Sequence, residues 1–298
     1  MSEKPTLKIM LAGPEIVLAA GIYDPLTASL ATDAGFRALY LSGASIAYTR
    51  LGRPDIGLVT MSEVAETLTL IRDRVPTPLV VDGDTGYGNA LNVQRTMRLF
   101  ERAGANAVQL EDQTFPKRCG HLQDKSLIST SEMAGKIRAA VDARASAETL
   151  VIARTDAVAV EGFEQAIERA ERYAEAGADV LFVEAPRSET QLAAVTERLG
   201  KRLPLMANMV EGGQTPILHK DKLQALGFSL VIFPGGIVRA IAKAAQAFYQ
   251  TLARDGTTDA FRSEMFDFDA LNAVIGTPDM LELGRKYEHP SNGPQGRA

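Results

Sequence analysis

Eight short apolar runs, each followed by a longer stretch with helical spacing, set the strongest limit on how this chain can fold. The runs are Val17–Asp24, Ala38–Gly43, Pro78–Thr85, Ala107–Gln113, Leu150–Ala157, Val180–Pro186, Leu203–Glu211 and Leu230–Gly235. Between them lie amphipathic segments such as Met61–Arg74, Ala90–Ala103, Ser131–Ala143, Phe163–Ala176 and Glu189–Leu199. Strands alternating with helices of this length make parallel βαβ units. Four runs share one entry: a helix ends at Gly35, Gly104, Gly177 or Gly227, and the strand starts within about three residues of that left-handed cap. The intervening strands are entered through Pro76 and Pro78, through Ala147-Glu148-Thr149, and through Pro204. This alternation predicts a (β/α)8 barrel built from two-strand repeats, with an open doubly wound sheet as the rival.

The polar residues favour the barrel. Asp24, Ser42, Asp82, Asp84, Glu111, Asp112, Arg154, Asp156, Glu184, Asn208 and Glu211 all fall at the C-terminal ends of expected strands. In a barrel those ends converge on one mouth, where active sites form. A single strand-end Asp is ordinarily a helix cap; seven strands with the same habit predict a shared site.

Composition narrows the function class. With 46% hydrophobic residues in 298, the chain can fill a large core. A net charge of −5 with interspersed signs offers no basic stripe for nucleic acid. No apolar run reaches the ~18 residues of a membrane span, and Met1–Met10 lacks an apolar signal core. One cysteine excludes a disulfide framework and suits a reducing compartment, so a cytoplasmic protein is expected. Residues 1–285 are expected to form one barrel domain with C-terminal helices, among them one near Val238–Ala253, and 286–298 a flexible tail.

Three constellations carry chemistry. In Asp82-Gly83-Asp84-Thr85-Gly86-Tyr87-Gly88, the two carboxylates share a strand face and repel unless a cation lies between them. With Glu111 on the next strand they form an oxygen-rich set of the kind Mg²⁺ prefers; the plainer alternative has Asp84 capping a helix and Asp82 pairing with Arg154. In Lys117-Arg118-Cys119-Gly120-His121, the only cysteine lies among cations in a Gly-containing loop. A lone Cys is by default a core residue, but this setting suits a reactive or proton-donating thiol. Finally, Arg154 at a strand end can neutralise Asp82 or Asp156, or fork onto a substrate carboxylate. Ser42 and the amides of Gly43 and Ala44 offer donors to an anion, while Tyr40, two residues before Ser42, reads as a core aromatic.

Together these residues resemble the isocitrate lyase and phosphoenolpyruvate mutase superfamily, and within it the 2-methylisocitrate and 2,3-dimethylmalate type of lyase. The resemblance runs from Tyr40-Leu41-Ser42-Gly43 through Asp82–Gly88, Glu111-Asp112-Gln113 and Ala153-Arg154-Thr155-Asp156 to Asn208-Met209-Val210-Glu211-Gly212-Gly213. The Lys117–His121 loop is its most specific part, since the phosphonate mutases carry a different sequence there. The resemblance implies a (β/α)8 barrel, dependence on Mg²⁺ with Mn²⁺ as a substitute, and a homotetramer whose terminal helices are exchanged between subunits. It implies that Asp82 and Asp84 hold the metal, with Glu111 in its outer shell. Ser42, Gly43, Ala44, Gly120, Arg154, Glu184 and Asn208 would bind substrate. Tyr40 would take the proton of the substrate 2-hydroxyl, Cys119 would protonate the released carbanion from a gating loop, and His121 would assist in that loop.

The implied reaction is retro-aldol cleavage of a 2-hydroxy-2-alkyl diacid or triacid to pyruvate and a second carboxylate. Alternatives are an oxaloacetate hydrolase or decarboxylase, a phosphonomutase, or a catalytically decayed binding protein. Two departures bear on the substrate. Position 44 is Ala where methylisocitrate lyases usually have Gly. The C-terminal stretch Met265-Phe266-Asp267-Phe268-Asp269 lacks the arginine those enzymes use for an extra carboxylate. The Glu211-Gly212-Gly213 loop is nearer the dimethylmalate type. A smaller or more apolar substrate, such as a 2-alkylmalate, is thus implied, with Arg239 available for one distal carboxylate.

Overall fold

The computed structural model describes residues 5–120 and 124–288. Eight parallel strands close into a barrel in sequence order: β1 (Val17–Ile22), β2 (Ala38–Leu41), β3 (Leu79–Asp82), β4 (Ala107–Glu111), β5 (Leu150–Thr155), β6 (Val180–Val183), β7 (Leu205–Asn208) and β8 (Leu230–Phe233), which returns to β1. The barrel expectation holds, and the open sheet is excluded by the β1–β8 pairing. The strands stop earlier than their apolar-plus-polar runs suggested. Leu79–Asp82 ends where Gly83 and Asp84 begin, because the terminal polar residues leave the ladder to build loops.

Period-two alternation sorts the strand residues into two cores. Ala19, Ala38, Tyr40, Val80, Ala107, Ile152, Val180, Phe182, Met206, Leu230 and Ile232 form one cluster inside the barrel. The opposite parity, including Leu39, Leu41, Val81, Val108, Leu110, Val151, Ala153 and Leu181, packs outward against helices such as Met61–Arg74, Ala90–Arg102 and Phe163–Glu175. The short helix Leu7–Leu11, capped by the Thr6 hydroxyl, adds Leu7, Met10 and Leu11 to the inner cluster and so plugs the barrel's N-terminal end.

The chain divides into two compact units, residues 1–241 and 242–298. The helix Gly236–Asp255 crosses the division, and Val238 is its one buried residue. The second unit continues with a 3₁₀ segment, Asp259–Glu264, and helices Phe268–Ile275 and Thr277–Arg285, none of which buries a residue. Phe248 meets Phe261 edge-on at 5.5 Å, while Phe266, Phe268, Met280, Leu281 and Tyr287 are exposed. The expected tail falls mostly outside the described residues. Among those described, no helix is long and apolar enough to cross a membrane.

Candidate active site

The inward parity at the C-terminal ends of the strands supplies the site floor. Asp82 continues the face of Val80, Glu111 that of Ala107 and Gln109, and Arg154 that of Ile152. Asp82 accepts from the Asp84 amide (3.2 Å), the Gly43 amide (3.4 Å) and Gln109 Nε2 (3.3 Å). Asp84 has turned into the left-handed region at φ 47°, which Asp tolerates better than most residues. Its Oδ1 pairs with Lys117 Nζ at 2.7 Å, and Lys117 also pairs with Asp55 at 2.6 Å. Neither part of the plainer alternative holds: the cap of the helix Ala90–Arg102 is Asn89, and Arg154 pairs elsewhere.

Arg154 is gripped by Asp156 through Nε (2.8 Å) and Nη2 (3.0 Å) and approaches Glu111 Oε2 at 3.3 Å, with its guanidinium 5.3 Å from the Phe182 ring centre. Burial alone would lower its pKa, but Asp156, Glu111 and Glu184 hold it well above the ordinary value. Burial raises the Asp84 pKa to about 7, Asp82 and Asp55 adding to the rise and Lys117 opposing it. Glu111 is raised well above the usual range, first by burial and then by Asp156 and Asp84, against Arg154 and Lys117. Tyr40 donates to Gln109 Oε1 at 3.0 Å; burial, Asp82 and Glu111 push its phenol far up, so without further positive charge it is a neutral donor.

Three buried side-chain oxygens among the described residues are under-satisfied: Glu111 Oε1 and Asn208 Oδ1 have no hydrogen-bond partner, and Asp84 Oδ1 has only its ion pair with Lys117. Such atoms are rare in folded proteins, and all three lie at this mouth. No three carboxylate, imidazole or thiol groups among the described residues converge tightly enough to cage an ion without help. The donor set that would suit Mg²⁺, a cation that binds through one or two carboxylates and keeps several waters, is Asp82 and Asp84 with the partnerless Oε1 of Glu111 nearby.

The loop after β4 lies over this floor. Gln113 holds its base, accepting from the Arg118 amide (3.0 Å) and donating to the Arg118 carbonyl (2.8 Å). Half-buried Cys119 donates its amide to the Asp55 carbonyl at 3.2 Å. Gly120 is fixed by contact, because a Cβ there would lie 2.3 Å from Arg154 Nη2 and 3.0 Å from Glu184 Cγ. Asn208 Nδ2 donates to Glu184 Oε2 at 3.1 Å on the far wall.

A cavity of about 70 Å³ gathers most of the residues expected from sequence: Tyr40, Ser42, Ala44, Asp82, Glu111, Cys119, Gly120, Arg154, Glu184, Asn208 and Arg239. Ser42 uses its hydroxyl to cap the helix Gly43–Ile46 through the Ser45 amide, and Gly43 abuts Asp82. Arg239, expected to be available, is engaged: it donates to the Glu211 carbonyl at 2.5 Å and meets Glu211 Oε2 at 3.2 Å. His121 lies outside the described residues. Asp112 does not belong to the mouth at all. Its parity turns it outward, where it accepts from Thr155 Oγ1, Tyr173 Oη, Arg169 Nη1 and the Asp156 amide.

The site also contains residues that sequence reasoning passed over. Gln109 was detectable as a polar residue two places before Glu111, hence on the same face. Lys117 was visible as a loop cation but not as the counter-ion of Asp55 and Asp84. Asp55 lies in a loop beyond the π-helical turn Ala47–Leu51, and nothing local marks it.

With this geometry in place, similarity to known proteins becomes specific. The family model described as phosphoenolpyruvate phosphomutase matches residues 7–253. The chain belongs to the phosphoenolpyruvate mutase and isocitrate lyase superfamily. A 2,3-dimethylmalate lyase of Eubacterium barkeri is 38% identical over 96% of this chain and 99% of its own length. A 2-methylisocitrate lyase of Aeropyrum pernix is 44% identical over 96% and 93%. The crystal structure of a 2,3-dimethylmalate lyase superposes with a TM-score of 0.90 at 34% identity, covering 96% of this chain and 95% of that one. A superfamily structure solved with oxalate and Mg²⁺, a phosphonopyruvate hydrolase, superposes at 0.86 with 30% identity over 95% and 98%.

Proposed function

We propose that this protein is a Mg²⁺-dependent carbon–carbon lyase that splits a 2-hydroxy-2-alkyl dicarboxylate, of the 2,3-dimethylmalate kind, into pyruvate and a second carboxylate. The observation that carries the reading is that Cys119 and Gly120 line one cavity with Arg154, Asp82 and Glu111, whose Oε1 has no hydrogen-bond partner. Asp82 and Asp84 would hold the ion, directly or through water, with Glu111 behind them; bound there, it would supply positive charge to stabilise the negative charge that develops on the substrate's pyruvate half.

The remaining work falls to the chain. Arg154 binds the same half and steadies negative charge on its oxygen, a role for which a permanently charged fork is suited. Ser42, Gly43 and Ala44 present donors to that carboxylate, and Asn208 and Glu184 line its other side. With the ion's charge offsetting Asp82 and Glu111, Tyr40 would ionise, and its phenolate Oη would receive the 2-hydroxyl proton. As the C2–C3 bond breaks, its electron pair passes onto the second fragment, whose C3 takes a proton from Cys119 Sγ. The loop excludes water, which keeps that carbanion from being quenched at random. His121 is assigned to the same loop chemistry. Arg239, at the cavity edge and paired with Glu211, is assigned to the distal carboxylate of a diacid substrate.

The apolar residues exposed in the C-terminal unit, together with a groove on the barrel's outer wall lined by Leu18, Ala20, Phe36 and Phe233, support a homotetramer in which copies exchange these helices. The decisive experiment couples pyruvate release to lactate dehydrogenase, with Mg²⁺ and in turn 2,3-dimethylmalate, 2-methylmalate and 2-methylisocitrate. Pyruvate from the alkylmalates at higher kcat/KM than from methylisocitrate is expected; no pyruvate from any of them overturns the proposal.

A further inference from the structure

We propose that Lys125 is a positioning residue for this reaction, seating the Cys119–Gly120 loop over Arg154 by tying the Gly120 carbonyl to Asp156. Lys125 Nζ donates to the Gly120 carbonyl at 2.5 Å and to Asp156 Oδ1 at 2.7 Å. The pair is almost sealed from solvent, with side-chain exposures of 2% and 0%. An ammonium is costly to bury unless fully paired, so this arrangement is strongly favoured when the loop is seated and lost outright when it lifts. The neighbouring pair Arg118–Asp124, at 3.3 Å but open to water, has no such leverage.

Asp156 is a fixed socket. It grips Arg154 at two points, and its own amide donates to Asp112 Oδ1 at 2.9 Å. Asp112 is in turn held by Arg169 and Tyr173 from the helix Phe163–Glu175. The loop thus plugs into a rigid wall through Lys125, just as it plugs into Asp55 and Asp84 through Lys117 on the other side of Cys119. Gly120, between the two lysines, has no space for a Cβ against Arg154, so a shift of the Gly120 carbonyl moves the backbone next to the thiol.

Charge adds a second effect. Arg154 faces Glu111, Asp156 and Glu184 as one cation among three carboxylates. Lys125 brings a second cation and shares Asp156 Oδ1 with Arg154 Nη2. Seating the loop therefore loosens Asp156's claim on the guanidinium at the moment the substrate needs its N–H groups.

The turnover arm of the test rests on the lyase reading; the exchange arm does not. Lys125→Met and Lys125→Arg are made in the full-length protein. Hydrogen–deuterium exchange is followed at the amides of Lys117–Gly120 without substrate, and pyruvate release is measured alongside. In Lys125→Met those amides should exchange about tenfold faster or more, the signature of a lost buried pair. Its kcat should fall about ten- to a hundredfold, as expected for misplaced reacting groups, with Mg²⁺ affinity unchanged. Lys125→Arg should recover most of both. Unaltered loop exchange in Lys125→Met, or equal defects in the two variants, overturns the proposal. If the wild type releases no pyruvate, the lyase reading fails while the exchange comparison still decides the role of Lys125.

Discussion

Glu111 and Asp112 are adjacent at the end of β4, both buried and both carboxylates, yet they live in opposite electrostatic worlds. Asp112 faces out toward the helices and has four donors around it. Glu111 faces into the mouth, with one oxygen 3.3 Å from Arg154 and the other without a hydrogen bond. Asp112 shows how this fold satisfies a buried carboxylate when the purpose is cohesion. Glu111 is left short of partners, which is how a site reserves affinity for something that arrives later.

The largest expected effect tests the inward side. Cys119→Ser should lower turnover by about 10²–10⁴-fold, the range for losing a positioned acid, while Mg²⁺ and oxalate binding by calorimetry stay near wild type. A parallel collapse of oxalate affinity would move Cys119 from proton donor to ligand.

The next effect separates the two carboxylates directly. Asp112→Ala strands the hydroxyls of Thr155 and Tyr173 and one arm of Arg169, and should cost about 3 kcal/mol in urea unfolding. Glu111→Gln should leave metal-free stability within about 1 kcal/mol of wild type, because it deletes a charge that burial opposes, but should lower turnover severely. Equal losses of stability would erase the contrast drawn between them.

The smallest effect concerns pH. Asp84 has a pKa of about 7 in the fold against 3.8 unfolded, so the metal-free protein is favoured at low pH by this group and loses that favour as pH rises through 7. A cation that needs Asp84 ionised must displace a proton at pH 6 but much less often at pH 8. Mg²⁺ should therefore raise thermal stability more at pH 8 than at pH 6, by about 1 kcal/mol, since one pKa unit corresponds to about 1.4 kcal/mol. Stabilisation independent of pH would place the ion away from Asp84.

The barrel was readable in the sequence because eight apolar runs and four glycine-marked entries leave few other topologies. Asp82, Arg154 and Glu184 were readable because polar residues at strand ends must converge. Asp112 shares their strand-end position but not their face, because the two-residue alternation turns it away from Glu111 and toward the helices. Applied consistently, that rule also brings in Gln109. Asp55 and the pairing partners of Lys117 and Lys125 depend on contacts between segments far apart in the chain, and no local pattern encodes those. The glycine-rich stretch after Asp82 is legible only in three dimensions, where Asp84 takes a left-handed turn toward Lys117.

The plug formed by Leu7, Met10 and Leu11 has a kinetic consequence. With one end of the barrel stoppered, the vessel has a single doorway, and the loop carrying Cys119 stands in it. Under the proposed reaction both fragments must leave by the way the substrate came, and neither can escape while the door is shut. A seated loop thus keeps the two halves together long enough to rejoin. Re-forming the bond would then compete with opening of the loop, and the rate of opening would help set how often a cut becomes permanent.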